Sequence, residues 1–187
     1  MPKILMRQKL RQRRDEFATM RASLHDFSAP PDPLRNWITQ SHCVSGYVPF
    51  GSEASPLALL AYARRQGRET ALPHVTHRDA PMRFLRWQMG DTLYPGPFGV
   101  MQPADDAPEA TPDLIVTPLL GFDRRCRRLG YGAGFYDRAF AQLPTARRVG
   151  LAWSVQEVDV VPADSWDVAL HAIWTECDWI VNEEMPQ

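Results

Sequence analysis

The chain has 187 residues, 44% of them apolar and 23% charged, with a formal net charge of −1, the make-up of a globular chain long enough to bury one core. No run of about 18 apolar residues occurs, which excludes a membrane-spanning helix, and the basic start lacks the apolar stretch of a signal peptide. Cys43, Cys126 and Cys177 form no C-x-x-C pair, which argues against a disulfide framework or a structural zinc site.

The expectation is one domain over residues 1–187, in the cytoplasm, with reduced and partly buried thiols. Near-neutrality hides a choice of cation: Lys3 and Lys9 are the only lysines, so 19 of the 21 basic residues are arginines. Arginine suits forked contacts to phosphate and carboxylate. The 17 prolines exceed the usual share of about 5%, but they are scattered between apolar runs and read as loop punctuation.

Residues 3–24 contain no Gly or Pro and suit a helix. At about 100° per residue, Met6, Leu10, Phe17, Met20 and Leu24 share one arc, with Lys3, Arg7, Arg11 and Arg14 on the adjoining arc. A second short helix is expected over 33–41 with Asp32 as its cap, then a strand over 43–48. Ser55-Pro56 opens a third helix that Gly67 stops. Strands are expected over 69–73 and 82–88. Residues 91–112 carry five prolines and the acids Asp105, Asp106 and Glu109, the composition of a long loop with an extended piece near Val100. Residues 113–118 are the clearest buried strand, followed by a helix over 134–143 and strands over 148–153 and 179–181. Strands alternating with helices predict an α/β fold with a mainly parallel sheet covered on both faces.

Ligands gather where such strands end and helices begin. After the strand at 113–118 comes LLGFD (119–123), four arginines within 124–128, then LGYGAGFYD (129–137) opening a helix. Gly130, Gly132 and Gly134 let the backbone approach an anion, and the helix terminus adds partial positive charge. The spacing is neither the dinucleotide fingerprint nor a P-loop, so on pattern alone a bare turn and a phosphate nest both stand. Asp137 reads either as a first-turn acid favouring the helix dipole or as a Mg²⁺ ligand beside phosphate, with Asp167 as a second carboxylate or a turn residue. Glu53 reads as a contact outside the third helix or as an acceptor of heterocycle N–H groups. Met82, Phe84, Trp87, Phe135 and Tyr136 read as core or as stacking faces for a planar ligand. The basic arc of the first helix reads as a nucleic-acid-facing surface or as the wall of an anion site.

Residues 122–123 and 128–138, FD and RLGYGAGFYDR, resemble the signature F-D-x-x-G-x-R-L-G-x-G-x-G-Y-Y-D-R of the 5-formyltetrahydrofolate cyclo-ligase (methenyltetrahydrofolate synthetase) family. The resemblance extends to the opening helix (3–14), to Glu53 in an E-x-x-x-L/I segment, to Pro73, and to Val149, Gln156, Trp166-Asp167 and Thr175-Glu176 near the end. It implies a three-layer α/β/α fold akin to the sugar-phosphate isomerase and CoA-transferase class. It implies ATP bound by Lys3, Arg7, Arg128, Leu129, Gly130, Tyr131, Gly132, Ala133, Gly134, Phe135 and Tyr136. Lys3, Arg7 and Arg128 would be catalytic, with Mg²⁺ near Asp137 and Asp167. The reduced folate is implied at Val48, Glu53 and the 131–135 loop, with Trp87 as a further wall. Cys126, Ala133 and Phe135 depart from the signature, replacing a glycine, a glycine or lysine, and a tyrosine. The partners implied are small molecules, with no nucleic acid, no membrane and a monomeric chain. Because phosphoryl transfer needs positioning more than a protein nucleophile, the lack of a Ser/His/Asp or Cys/His set fits the resemblance. A non-catalytic RNA-binding module with the same fold is the competing expectation.

Overall fold

The apolar runs become the strands and helices expected of them, with a few additions. The computed structural model describes residues 2–21 and 27–185. In chain order it contains α1 (Lys3–Arg21), α2 (Asp32–Gln40), β1 (Cys43–Ser45), α3 (Leu57–Arg65), β2 (Glu69–His74) and β3 (Arg83–Arg86). There follow β4 (Tyr94–Pro95), β5 (Met101–Gln102), β6 (Leu114–Pro118), β7 (Gly121–Phe122), β8 (Arg128–Leu129), α4 (Phe135–Gln142), β9 (Arg147–Leu151), β10 (Ala172–Trp174) and β11 (Trp179–Val181). Seven strands form one sheet in the order β11-β10-β9-β6-β1-β2-β3. The central run from β10 to β2 is parallel, and the two edge strands β11 and β3 are antiparallel to their neighbours. The α/β expectation with a mainly parallel sheet therefore holds.

Both faces of the sheet are apolar, as a parallel sheet covered by helices requires. Val44, Leu72, Leu114, Val116, Val149 and Leu151 pack with Leu34, Trp37 and Ile38 of α2 and Leu59, Leu60 and Ala63 of α3. Cys43, Ala71, Ile115 and Ile173 turn to the other face, against Ala139 and Phe140 of α4. Each fully buried Leu, Ile, Val or Phe adds about 1.5–3 kcal/mol, so these two clusters set the layers. A third, smaller cluster joins Met6 and Leu10 of α1 to Leu129 and Val161. It seats α1 near the β7–β8 hairpin, at the carboxyl edge of the sheet.

Several expectations change in detail. Met20 is 75% exposed, so the apolar arc of α1 effectively ends at Phe17, whose ring lies 5.6 Å from that of Trp153; Leu24 lies outside the described residues. Asp32 is the first residue of α2 and pairs with Arg35 at 3.3 Å, while Pro31 takes the cap position. β1 is shorter than expected because Tyr47 leaves the ladder to donate its hydroxyl to the Ala54 carbonyl at 2.5 Å. Cys43 and Cys126 are buried and Cys177 is exposed, all three as free thiols. The 91–112 segment carries the β4–β5 pair and a helical turn over Pro97–Gly99. β7, β8 and β10 were not anticipated, being two or three residues long.

Candidate functional site

Helix α1 presents its basic face to three separate loops. Lys3, Arg7 and Arg14 stand on one side of the helix, and a rise of 1.5 Å per residue sets the first and last about 16 Å apart. Lys3 Nζ meets Asp164 Oδ2 at 2.6 Å and Asp167 Oδ2 at 3.0 Å. Arg7 donates its Nε–H to the Gly130 carbonyl at 2.9 Å. Arg14 donates from Nε to Ser52 Oγ at 2.9 Å and from Nη1 to the Tyr131 hydroxyl at 2.6 Å.

The middle of these loops is built by the β7–β8 hairpin. Its turn is held by Asp123, 1% exposed, whose carboxylate accepts the backbone N–H groups of Arg125, Arg127 and Val161 and pairs with the Arg127 guanidinium at 2.7 Å. Arg127 is thus an internal partner of the turn. Cys126 sits in this turn at φ +56°, the conformation glycine adopts most readily, which explains why a glycine stands there in the signature. The hairpin returns through Arg128, whose Nη2 donates to Asp137 Oδ1 at 2.6 Å, with side chains only 7% and 16% exposed. Arg128 Nε is buried without a partner.

From Leu129 the chain enters the glycine-rich loop and then α4. Gly132 and Gly134 have φ of +99° and +68°, and the Arg7 guanidinium carbon lies 3.3 Å from where a Cβ on Gly132 would stand. Gly134 caps α4, so Asp137 falls in the helix's first turn, where its charge is favourable. Arg138 closes the loop from behind, donating to the Ala133 and Arg78 carbonyls at 3.0 Å each.

At the far end of α1, Glu53 is held in a corner. Its Oε2 accepts the Phe50 N–H at 2.8 Å, and its Oε1 accepts the Tyr131 hydroxyl, with Arg14 Nη1 3.7 Å away. Burial raises the Glu53 carboxyl above its ordinary value, an effect that the hydrogen bonds from Tyr131 and Phe50 and the charge of Arg14 oppose. Burial also pushes the Tyr131 and Tyr136 hydroxyls well up, with the Glu53 charge as the next cause. Asp167 behaves oppositely. Burial alone would raise it, but the Asp164 N–H, the Lys3 bond and the charges of Lys3 and Arg128 hold it below the usual carboxylate range.

Asp137 and Asp167 lie together, because Asp137 Oδ1 also accepts the N–H of Val168 at 3.2 Å. In these bonds each uses one oxygen only: Oδ1 of Asp137, toward Arg128, and Oδ2 of Asp167, toward Lys3. Among the described residues no group of three or more His, Cys, Asp or Glu side chains could hold a metal ion. Two carboxylates fit a Mg²⁺ ion that arrives with phosphate oxygens and water, and not a cage made by protein alone.

The structure brings together Lys3, Arg7, Arg128, the 130–134 loop, Asp137 and Asp167, with Glu53 and Tyr131 at the other end. Val48 is half-buried against the larger core. Leu129 is 2% exposed and anchors α1, so its side chain does not face a ligand. Phe135 packs on Phe98, with ring centres 5.8 Å apart, and beneath Arg138. Tyr136 turns to Phe140 and Thr117. Trp87 is not brought to this site. Its N–H donates to the Thr70 carbonyl, at the opposite, amino edge of the sheet, because β3 runs antiparallel to β2. Four residues escaped the sequence reading as site residues: Arg14, Asp123, Asp164 and Phe98. Arg14 carried a signal, being on the same helical arc as Lys3 and Arg7. Phe98, 57% exposed at φ +64° beside Phe135, carried none.

The fold and this edge define an α/β enzyme with an arginine-flanked glycine-rich loop leading into a helix. The sequence pattern of the 5-formyltetrahydrofolate cyclo-ligase family matches residues 2–176, and the chain belongs to that family of ligases. It is 34% identical over 160 residues to the 5-formyltetrahydrofolate cyclo-ligase of Mycolicibacterium smegmatis, covering 77% of this chain and 80% of that one. The enzyme of the same name from Haemophilus influenzae is 33% identical, over 72% of this chain and 75% of its own. In structure, the 5,10-methenyltetrahydrofolate synthetase of Aquifex aeolicus superposes with a TM-score of 0.71 at 24% identity, covering 100% of this chain and 96% of that one. The synthetase from Mycoplasma pneumoniae gives 0.69 at 22% identity, over 98% and 100%. Both share the fold.

Proposed function

We propose that this protein converts 5-formyltetrahydrofolate to 5,10-methenyltetrahydrofolate at the expense of ATP, releasing ADP and phosphate. The reading rests on family membership, and one observation carries it to these residues: a single helix, α1, reaches both the Asp137–Asp167 pocket and the Glu53 corner. Lys3, Arg7 and Arg128 bind the triphosphate, along whose oxygens the N–H groups of residues 130–134 and the start of α4 lie. The buried, unpartnered Nε of Arg128 is a donor that a phosphate oxygen would satisfy. Asp137 and Asp167 would hold Mg²⁺, which supplies charge neutralisation on the phosphates.

Glu53 accepts N–H groups of the pterin, with Val48, Tyr131 and Phe135 around it. The formyl oxygen on N5 attacks the γ-phosphorus and ADP leaves. N10 then attacks the activated carbon and loses its proton, and the C–O bond breaks as phosphate departs with the former formyl oxygen. The protein's part is to position the two substrates and balance charge.

The chain acts as one domain, as a monomer and in the cytoplasm on this reading. The RNA-binding alternative is opposed by the pairing of its arginines: Arg124 meets Glu157 and Asp178, Arg127 meets Asp123, and Arg128 meets Asp137. The test is absorbance of the methenyl product together with ADP release, from 5-formyltetrahydrofolate, ATP and Mg²⁺. Product formed only when all three are present supports the proposal; no product and no ADP would overturn it.

A further inference from the structure

We infer that Arg14 is a positioning residue for the folate subsite, acting through Glu53 and Tyr131, and that it keeps the Glu53 carboxylate ionised and aimed for the pterin. The inference rests on the proposed assignment of Glu53 to the reduced folate. Arg14 is 3% exposed although it lies on a surface helix. Its guanidinium spans two loops that are far apart in the chain, bonding Ser52 Oγ and the Tyr131 hydroxyl while standing 3.7 Å from Glu53 Oε1. Ser52 is fixed from two further sides, by its own bond to Asp15 and by Trp153, whose indole N–H donates to the Ser52 carbonyl at 2.9 Å.

Glu53 therefore depends on Arg14 in two ways. A carboxylate this buried is costly to ionise without a cation beside it, and the other groups around it are neutral or acidic. They are the hydroxyls of Tyr131, Tyr47 and Tyr136 and, through Ser52, Asp15. Arg11 reaches only the Tyr131 ring, 6.0 Å from its centre. Without Arg14 the Glu53 corner retains the Phe50 N–H and the Tyr131 hydroxyl as donors but no facing cation. Protonation then removes the forked acceptor that the N–H groups of a pterin require.

The test compares Arg14→Met and Arg14→Lys with the wild-type enzyme. In steady-state kinetics over pH 5 to 9, Arg14→Met should raise KM for 5-formyltetrahydrofolate by roughly tenfold or more. KM for ATP should stay within about twofold, and the acidic limb of kcat/KM for the folate should move up by about one pH unit, since one pKa unit is a tenfold change. Arg14→Lys, which restores the charge without the fork, should recover most of the pH shift. If KM rises equally for both substrates and the limb does not move, Arg14 is only structural and the inference fails.

A readout without turnover separates this from failure of the proposed reaction. Infrared difference spectra against Glu53→Gln isolate the carboxyl band of Glu53 in the ligand-free protein. That band should stay protonated to higher pH in Arg14→Met, or in Arg14→Lys to a lesser degree should the methionine variant not fold. If wild-type protein makes no methenyl product yet shows this shift, the reaction fails while Arg14's hold on Glu53 stands. An unmoved carboxyl band overturns the inference in either case.

Discussion

The two edges of the sheet use their charges differently. At the amino edge, a cavity of about 470 Å³ is lined by Arg64, Glu69, Arg86, Trp87 and Tyr94 among others. Its cations stay near the surface: Arg86 meets Glu69 at 3.1 Å, with both side chains about half exposed, and Arg64 meets Gln88 at 2.9 Å. At the carboxyl edge the cavity is smaller, about 200 Å³, between Arg128, Asp167 and the Arg125–Arg127 turn. There the pairs join distant segments, Lys3 to Asp167 and Arg14 to Tyr131, and Arg14 and Arg128 are buried. Arg14 and Arg128 are costly to desolvate, and compensating partners or a ligand sustain such groups.

The most direct way to break this contrast is to remove one cation from each edge. Arg128→Ala should cost about 3 kcal/mol of transition-state stabilisation, as for one preorganised charge donor, seen as a fall in kcat/KM of roughly two orders of magnitude. Arg86→Ala should change stability by under about 0.5 kcal/mol, as exposed pairs do, and leave kcat/KM unaltered. Wild-type turnover in Arg128→Ala would refute the role given to it. A smaller effect separates packing from binding at Trp87. Trp87→Phe loses the indole bond to the Asp91 carbonyl and part of a buried ring, so chemical denaturation should show a loss of about 1–2 kcal/mol. KM for the folate should not change, since this residue stands at the other edge.

Much of this was legible before any coordinates. The parallel α/β sheet followed from alternating apolar runs, and the glycine-rich loop, Arg128 and Asp137 lay within eleven residues of one another. Trp87 was misplaced because a strand's sequence does not reveal its direction. Only the antiparallel pairing of β3 with β2 turns that residue away from the site. Asp164 was missed because its partner, Lys3, is distant in sequence, and the tie from Asp123 to Val161 was missed for the same reason. β10 escaped because three residues preceded by a histidine give no periodicity to read.

That histidine offers a third contrast, now in pH. His171 Nδ1 accepts the Arg148 N–H at 3.0 Å, which requires the unprotonated nitrogen. Burial, then the charges of Arg148 and Arg147, lower its pKa from 6.5 to about 4. A base with a depressed folded-state pKa contributes stability above its unfolded pKa that is lost as pH falls, here between 6.5 and about 4. The melting temperature should drop by a few degrees over that window, and His171→Gln should flatten the drop. Asp167, held low near the site, gives a separate loss at lower pH, below 3.8.

The smallest effect sets two turns against each other. At the amino edge Gly67, φ +76°, follows α3 with open space around it. At the carboxyl edge Cys126, φ +56°, adopts the same left-handed region with a side chain, its Sγ 3.6 Å from the Ile180 carbonyl. Gly67→Ala should destabilise by about 1 kcal/mol through backbone strain alone. Cys126→Ala keeps that strain and loses the thiol's packing. Cys126→Gly loses slightly more packing but sheds strain of about 1–2 kcal/mol, while gaining about 0.5–1 kcal/mol of unfolded-state freedom. The two gains and losses nearly cancel, so the glycine variant should be at least as stable as the alanine variant, reversing the order usual where φ is negative. Denaturation midpoints of the three proteins decide it: an alanine variant clearly more stable than the glycine variant would mean that packing of the buried side chain, and not backbone conformation, governs the turn that carries Arg128.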